Sequence, residues 1–298
     1  MPPESQPGRE IKILTGIGSF LGPYEGLILD LWGVIHDGRD PYPGVTDTLA
    51  RVMGSGRKVV MLSNAPRRSS AVIEGMTVIG IGRGLYHDVL SSGELAWRAL
   101  KRRDAPWAKA LGRRCLHVGP ARDEGLFDGL DVDLIAAPEE GAFILNTGPW
   151  EDEETVADYE VLLADAAACR MPMICANPDI EVIRGGKRII CAGALARRYT
   201  EMGGDVRYFG KPDPDAYRAC LDRMGAAEPA RVLAVGDSLS TDILGAQRAG
   251  LDAVLVTSGI HAEELGLDPG EPPDPARLAA ACARAGAFPL AAVPAFVW

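Results

Sequence analysis

Apolar residues in this chain fall into short unbroken runs, separated by stretches in which they recur every three or four positions. The runs "LIL" (27–29), "VVML" (59–62), "VLAV" (232–235) and "AVLV" (253–256) lack the alternation of a half-exposed strand. They predict strands buried on both faces, as in a parallel sheet. Between them, Val45, Leu49, Val52 and Met53 keep helical spacing up to the stop "GSG". "DPDAYRACLDRMG" (213–225), "STDILGAQRAG" (240–250) and "ARLAAACARAG" (276–286) read the same way. Strand, helix and strand in succession predict an α/β fold with crossover helices, a Rossmann-like parallel sheet.

A second set of strand patterns lies between these halves: "RCLHVG", "VDLIAA", "GAFILN" and "MPMICANPD", with the helical stretch "EDEETVADYEVLLADAAAC" among them. It is too long for a loop. The expected organisation is a core in two parts, 1–104 and 206–298, interrupted by an inserted α/β cap at 105–205. "LDPGEPPDP" (267–275) reads as a surface loop, and the apolar tail "FPLAAVPAFVW" is expected to dock on its own fold.

Composition narrows the function. The chain has 298 residues, 47% hydrophobic and 24% charged, and a formal net charge of −10. That charge repels nucleic acid and anionic membrane at long range, so neither is expected as a partner. A small phosphorylated molecule remains compatible, because a local metal ion overrides the global field. The six cysteines show no CxxC pair or zinc-like spacing, which suits reduced thiols. The first ten residues lack a basic start and an apolar core, so a cytoplasmic protein is expected.

In an open parallel sheet, ligands bind beyond the carboxyl ends of the strands. Four places there carry candidate chemistry: Asp30 after "LIL", Ser63 and Asn64 after "VVML", Lys211 in "YFGKPDPDAY", and Asp237 with Asp242 in "AVGDSLSTDI". Each has a plain structural alternative, as a turn residue, a helix cap, a solvated charge or a first-turn acid. Taken together, carboxylates at 30 and 237 suit Mg²⁺, which takes one or two protein carboxylates and leaves room for water and phosphate. Ser63, Asn64 and Lys211 would then offer hydroxyl, amide and ammonium donors to phosphate oxygens.

In this order the motifs resemble those of the haloacid dehalogenase superfamily. "PYPGVTDTLARVMGSGRKVVMLSNAPRRS", "CANPDIEVIRGG" followed by "CAGALARRY", and "GDSLSTDI" are similar to its class IIA branch, which carries a large α/β cap and includes sugar-phosphate, nitrophenyl-phosphate and pyridoxal-phosphate phosphatases. The resemblance implies a Mg²⁺-dependent hydrolase in which Asp30 attacks phosphorus to form an aspartyl-phosphate. It implies that Mg²⁺ is held by Asp30, the backbone carbonyl of Trp32, Asp237 and Asp242. Asp242 would also orient metal-bound water or the lysine. Ser63 and Asn64 would hold phosphate, Lys211 would offset the developing charge, and Asn177 and Asp179, on the cap side, would face the substrate or position the cap. By analogy alone, it implies a homodimer through the caps.

Trp32 departs from that pattern. Phosphatases of the family place there a second aspartate, which protonates the leaving oxygen and then activates water. Indole offers no such group. His36 and Asp37 are the nearest substitutes, although a turn histidine beside an aspartate reads more simply as a solvated pair. Three outcomes follow: a phosphatase of a sugar-phosphate-like metabolite, a phosphotransferase at the same site, or a phosphate-binding protein with little turnover. A dehalogenase reading fits an aromatic residue at 32 but neither the metal motif nor the large insert. A phosphonatase would need a Schiff-base lysine, which neither Lys109 nor Lys187 marks. Trp150 reads as a packing residue, and Arg184, Lys187 and Arg188 as a solvated turn.

Overall fold

The computed structural model describes residues 10–184, 187–225, 227–268 and 270–298. They form two compact units. The first comprises the described residues of 10–63, 73–90 and 211–298, and the second comprises those of 64–72 and 91–210.

A seven-stranded sheet organises the first unit, in the order Lys12–Ile13, Ala291–Val293, Asp252–Val256, Val232–Gly236, Gly26–Leu29, Lys58–Ser63 and Asp88–Ser91. The pairs from Lys12–Ile13 across to Lys58–Ser63 are parallel. The four apolar runs supply its centre, and Leu27, Leu29, Val59 to Leu62, Val232, Leu233, Val254 and Leu255 have no exposed surface. Each such side chain contributes roughly 1.5–3 kcal/mol by leaving water, which is why the pattern is continuous rather than alternating. Helices join the strands, and their ends are marked in the sequence. Asp213 and Asp274 cap Pro214–Arg223 and Pro275–Ala285, each with proline at the first helical position, and Gly250 closes Leu244–Ala249 with φ 76°.

The tail belongs to this unit. Ala291–Val293 pairs on both sides, Phe296 is buried, and the Val297 carbonyl accepts from Ile17 N–H at 2.8 Å. The Trp298 indole occupies the space that a Cβ on Gly18 would need, at 2.7 Å.

The second unit has a five-stranded parallel sheet in the order Val206–Tyr208, Met173–Cys175, Phe143–Asn146, Arg114–Val118 and Asp133–Ile135. Successive strand residues point to opposite faces, and both faces are apolar. Leu116, Val118, Ile144, Met173 and Cys175 pack with Tyr159, Leu163, Leu195 and Tyr199. Cys115, Phe143, Leu145 and Ile174 pack with Ala96, Leu100 and Leu126. The Ser92–Arg102 helix thus covers one face and carries the second unit beyond the expected insert at 105–205. An antiparallel hairpin, Glu181–Arg184 with Lys187–Ile190, follows the Met173–Cys175 strand.

Among the described residues the cysteines form no disulfide, and no helix is long and apolar enough to cross a membrane.

Candidate functional site

In the first unit, Gly26–Leu29 lies between Val232–Gly236 and Lys58–Ser63, with Leu29 opposite both Val235 and Met61. This register brings the residues just past each strand to one edge. Asp30 N–H donates to the Val235 carbonyl at 2.9 Å, which fixes the backbone at the strand exit. Ser63 ends its strand one position further along, buried like Asp30.

Lys211 joins them from the chain beyond the second unit. Its Nζ lies 2.5 Å from Asp30 Oδ1 and 2.7 Å from Asp242 Oδ1, and all three side chains are buried. Asp242 is held from the backbone too, because Ser238 N–H donates to its Oδ2 at 3.2 Å. A Cβ on Gly236 would lie 2.1 Å from the Asp242 carboxyl carbon, so the glycine of "VGD" makes room for that acid. Asp237 is packed between two further glycines. A Cβ on Gly33 would fall 2.0 Å from Asp237 Oδ2 and one on Gly259 at 2.1 Å, while Ile260 N–H donates to the same oxygen at 2.8 Å. Gly33 also has φ 80°, a conformation that other residues adopt at a cost of about 1–2 kcal/mol.

The ligand atoms of Asp30, Asp237 and Asp242 lie within 4.8 Å of one another. Three buried carboxylates against one ammonium leave this pocket short of positive charge. Burial, then the charges of Asp30 and Asp242, hold Asp237 well above the ordinary carboxyl range, and burial with Asp30 raises Asp242 to about 6 against the opposing pull of Lys211. An all-oxygen donor set with two negative charges in excess fits a hard divalent cation, so the residues present could hold a metal ion.

The loop after Asp30 corrects one expectation. His36 is buried, not solvated, and burial lowers its pKa to about 4. Its Nδ1 accepts from Gly38 N–H at 3.0 Å, which leaves the proton of the neutral ring on Nε2. Asp37 is exposed, and its carboxylate accepts the Arg39 and Asp40 N–H groups, which lower its pKa. The Trp32 indole stands edge-on to His36 with ring centroids 5.5 Å apart, and a Cβ on Gly38 would meet it at 2.3 Å. Half-buried Trp32 is thus packed onto its own turn rather than presenting a titratable group.

The remaining sequence candidates lie in the second unit. Asn64 Nδ2 donates to Asp179 Oδ1 at 2.8 Å, and Asn177 Oδ1 accepts from Asp179 N–H at 3.0 Å. These bonds tie the segment after "VVMLS" to the "NPD" turn within that unit. Trp150 stacks on Tyr159 with ring centroids 4.8 Å apart yet stays exposed, and Arg184 pairs with Asp152 rather than forming a solvated turn. Gly33, Gly236 and Gly259 were not among the residues singled out in the sequence. Gly236 directly precedes Asp237 and Gly33 follows Asp30 by three residues, whereas Gly259 follows a strand that ends in Val256, and the meaning of all three depends on contacts between distant segments.

Comparison with known proteins agrees with this geometry. Residues 27–133 match the family model for haloacid dehalogenase-like hydrolases, and residues 208–280 match a second model described as HAD-hydrolase-like. The crystal structure of a hydrolase of the haloacid dehalogenase-like family from Brucella suis 1330 is 32% identical, covering 96% of this chain and 100% of that one, with a TM-score of 0.82. Ribonucleotide monophosphatase NagD of Escherichia coli is 26% identical over 79% of this chain and 88% of its own length. Glycerol phosphate phosphatase Rv1692 of Mycobacterium tuberculosis, crystallised with calcium, is 25% identical over 84% of this chain and 71% of that one, with a TM-score of 0.60. With its parallel core, its inserted α/β module and the acids and lysine gathered at one sheet edge, the chain belongs to the haloacid dehalogenase-like hydrolase family.

Proposed function

We propose that the protein is a Mg²⁺-dependent phosphatase of a small, sugar-phosphate-like metabolite that works through an aspartyl-phosphate on Asp30. The observation that carries this reading is the buried Asp30–Lys211–Asp242 contact, with Asp237 beside it at a shared strand edge. Relatives named for glycerol phosphate and ribonucleotide monophosphates support a phosphate ester as substrate. Asp30, Asp237, Asp242 and the Trp32 carbonyl would hold Mg²⁺, which when bound supplies positive charge to the phosphoryl oxygens.

The chain's own groups do the rest. An Asp30 oxygen attacks phosphorus, the P–O ester bond breaks, and the leaving oxygen departs with the bonding electrons and takes its proton from solvent. Lys211, in contact with Asp30, offsets charge as it builds on the phosphoryl group. Ser63 donates to a phosphoryl oxygen from the neighbouring strand end. Water then cleaves the aspartyl-phosphate, releasing phosphate and regenerating the carboxylate.

No titratable side chain at position 32 protonates the leaving oxygen, and neutral, buried His36 is a poor acid near pH 7. Esters with acidic leaving groups are therefore the preferred substrates in vitro. Release of phosphate from p-nitrophenyl phosphate in the presence of Mg²⁺ tests the reading, because nitrophenolate needs no proton to depart. Alkyl phosphates should turn over more slowly, and Trp32→Asp should raise their kcat by about 10- to 100-fold, approaching the usual worth of a general acid. An unchanged ratio of alkyl to nitrophenyl turnover in Trp32→Asp would mean that another group already donates the proton. The same vacancy for a base favours a second reading, transfer of the phosphoryl group to an alcohol, which a partition of products between phosphate and a new ester would reveal.

A further inference from the structure

Two of the three clustered acids, Asp237 and Asp242, stand at the ends of one short segment, and the peptide between Ser238 and Leu239 lies inside it. The carbonyl of that peptide accepts from the Asp242 and Ile243 N–H groups at 3.0 and 3.1 Å. Its N–H, on buried Leu239, donates to His261 Nε2 at 3.1 Å. A peptide unit is planar, so these bonds fix one orientation together. Turning the Leu239 N–H away would turn the Ser238 carbonyl with it and release the backbone of Asp242.

His261 is braced in its turn. Its Nδ1 lies 2.7 Å from Glu264 Oε2, and because Nε2 accepts from Leu239, the proton of the ring is on Nδ1 and is donated to that carboxylate. Glu264 also accepts from Arg284 of the Pro275–Ala285 helix, and Arg284, then His261, lower its pKa. The His261 carbonyl accepts from Leu265 N–H at 2.9 Å, and Arg277 of the same long helix donates to the Leu265 carbonyl at 3.3 Å. All of these residues belong to the first unit.

The residue before the histidine adds a second grip. Ile260 N–H is the donor that holds Asp237 Oδ2 at 2.8 Å. Adjacent residues 260 and 261 thus hold the acidic segment at two points, one on the Asp237 carboxylate and one on the peptide that anchors Asp242. A buried N–H needs an acceptor, and a water or a main-chain carbonyl would meet that need. A ring braced from a second helix supplies a fixed direction as well.

We propose that His261 is a positioning residue for the metal acids, which directs the Leu239 N–H and so keeps Asp242 within reach of Asp30 and Asp237. This rests on the reading of those three acids as Mg²⁺ ligands and adds to it a residue that touches neither metal nor substrate.

The test is calorimetric titration of the chelator-treated full chain with Mg²⁺, in wild type, His261→Leu and His261→Gln. Leucine has no acceptor for the Leu239 N–H, and its Mg²⁺ affinity should fall about 10-fold or more, the usual scale for a group that orients a ligand. Glutamine offers an amide oxygen and should stay within about 3-fold of wild type. Glu264→Ala, at a side chain 40% exposed, frees the ring proton to move to Nε2 and should weaken Mg²⁺ about 3-fold or more. It keeps the test open if His261→Leu misfolds. Melting temperatures of the metal-free proteins separate folding from positioning. Affinity within about 2-fold of wild type in both His261→Leu and Glu264→Ala overturns the assignment, whatever those temperatures are. Equal losses in the leucine and glutamine variants overturn it too, since ring packing rather than the acceptor would then be responsible. A wild type that binds Mg²⁺ but releases no phosphate overturns the phosphatase reading and leaves this one standing, whereas a wild type that binds no Mg²⁺ overturns both.

Discussion

Asp30→Asn should lose Mg²⁺-dependent release of nitrophenolate by about 10³-fold or more, with little change in fold. The amide matches the carboxylate in shape but lacks the anionic oxygen that attacks phosphorus, and removing a nucleophile commonly costs at least that much. Lys211 would retain Asp242 at 2.7 Å as its partner, so the ammonium is not left stranded in the buried pocket. The measurement is a progress curve at saturating substrate, with acid-quenched protein examined for covalent phosphate. Wild type should carry the label and the variant should not. A wild type as silent as Asp30→Asn across a panel of esters it still binds would sink the enzymatic reading and favour a phosphate-binding protein.

Removing metal should have the second large effect, on activity and on stability together. Chelation should abolish turnover, because three buried carboxylates with one ammonium cannot receive a dianionic ester. It should also lower the melting temperature. Saturating a site at about 100 times its Kd adds about 2.7 kcal/mol, which for a chain of this size is about 5 °C. The sign of the pH dependence follows from the acids. Unfolded aspartates ionise near 3.9, whereas folded Asp242 holds its proton to about 6 and Asp237 is raised as well. Between those values the folded chain binds more protons than the unfolded one, so the metal-free protein is destabilised as pH rises through them. Mg²⁺ should therefore raise the melting temperature more at pH 7.5 than at pH 5. Thermal scans in chelator and in Mg²⁺ at both pH values test this, and a metal-free melting temperature that climbs over that interval would count against the buried acidic cluster.

Much of this site was legible because a strand buried on both faces leaves a simple trace. An acid directly after an unbroken apolar run has been delivered to a sheet edge, and that argument located Asp30 and Asp237, with Ser63 found in the same way. It does not say which edges belong to one sheet, so the meeting of Lys211 with Asp30, 181 positions apart, depended on motif order. His36 was misread because "HDG" has the composition of an exposed turn, while the burial of its ring comes from Trp32 folding back over Gly38. The second unit extends past the expected insert because Ser92–Arg102 is assigned by what it packs against, and its seam with Leu126 and Phe143 has no local signature. His261 and Leu239 are 22 positions apart, and no spacing rule joins them. Asn64 follows Ser63 directly in the chain, yet it belongs to the second unit, where its amide is bonded to Asp179.

The seven-stranded sheet has a consequence for how this protein is made. Its strands come from both ends of the chain, and Ala291–Val293 inserts between Lys12–Ile13 and Asp252–Val256. A ribosome delivering the chain from its N-terminus releases the strands of the second unit while this place in the first is still vacant. The second unit can close during synthesis, but the sheet of the first, which carries Asp30, cannot be completed until Ala291–Val293 has emerged. Nascent chains would thus pass through a stage with a folded module and an unfinished, apolar sheet, the interval in which they are most exposed to aggregation and to chaperone capture.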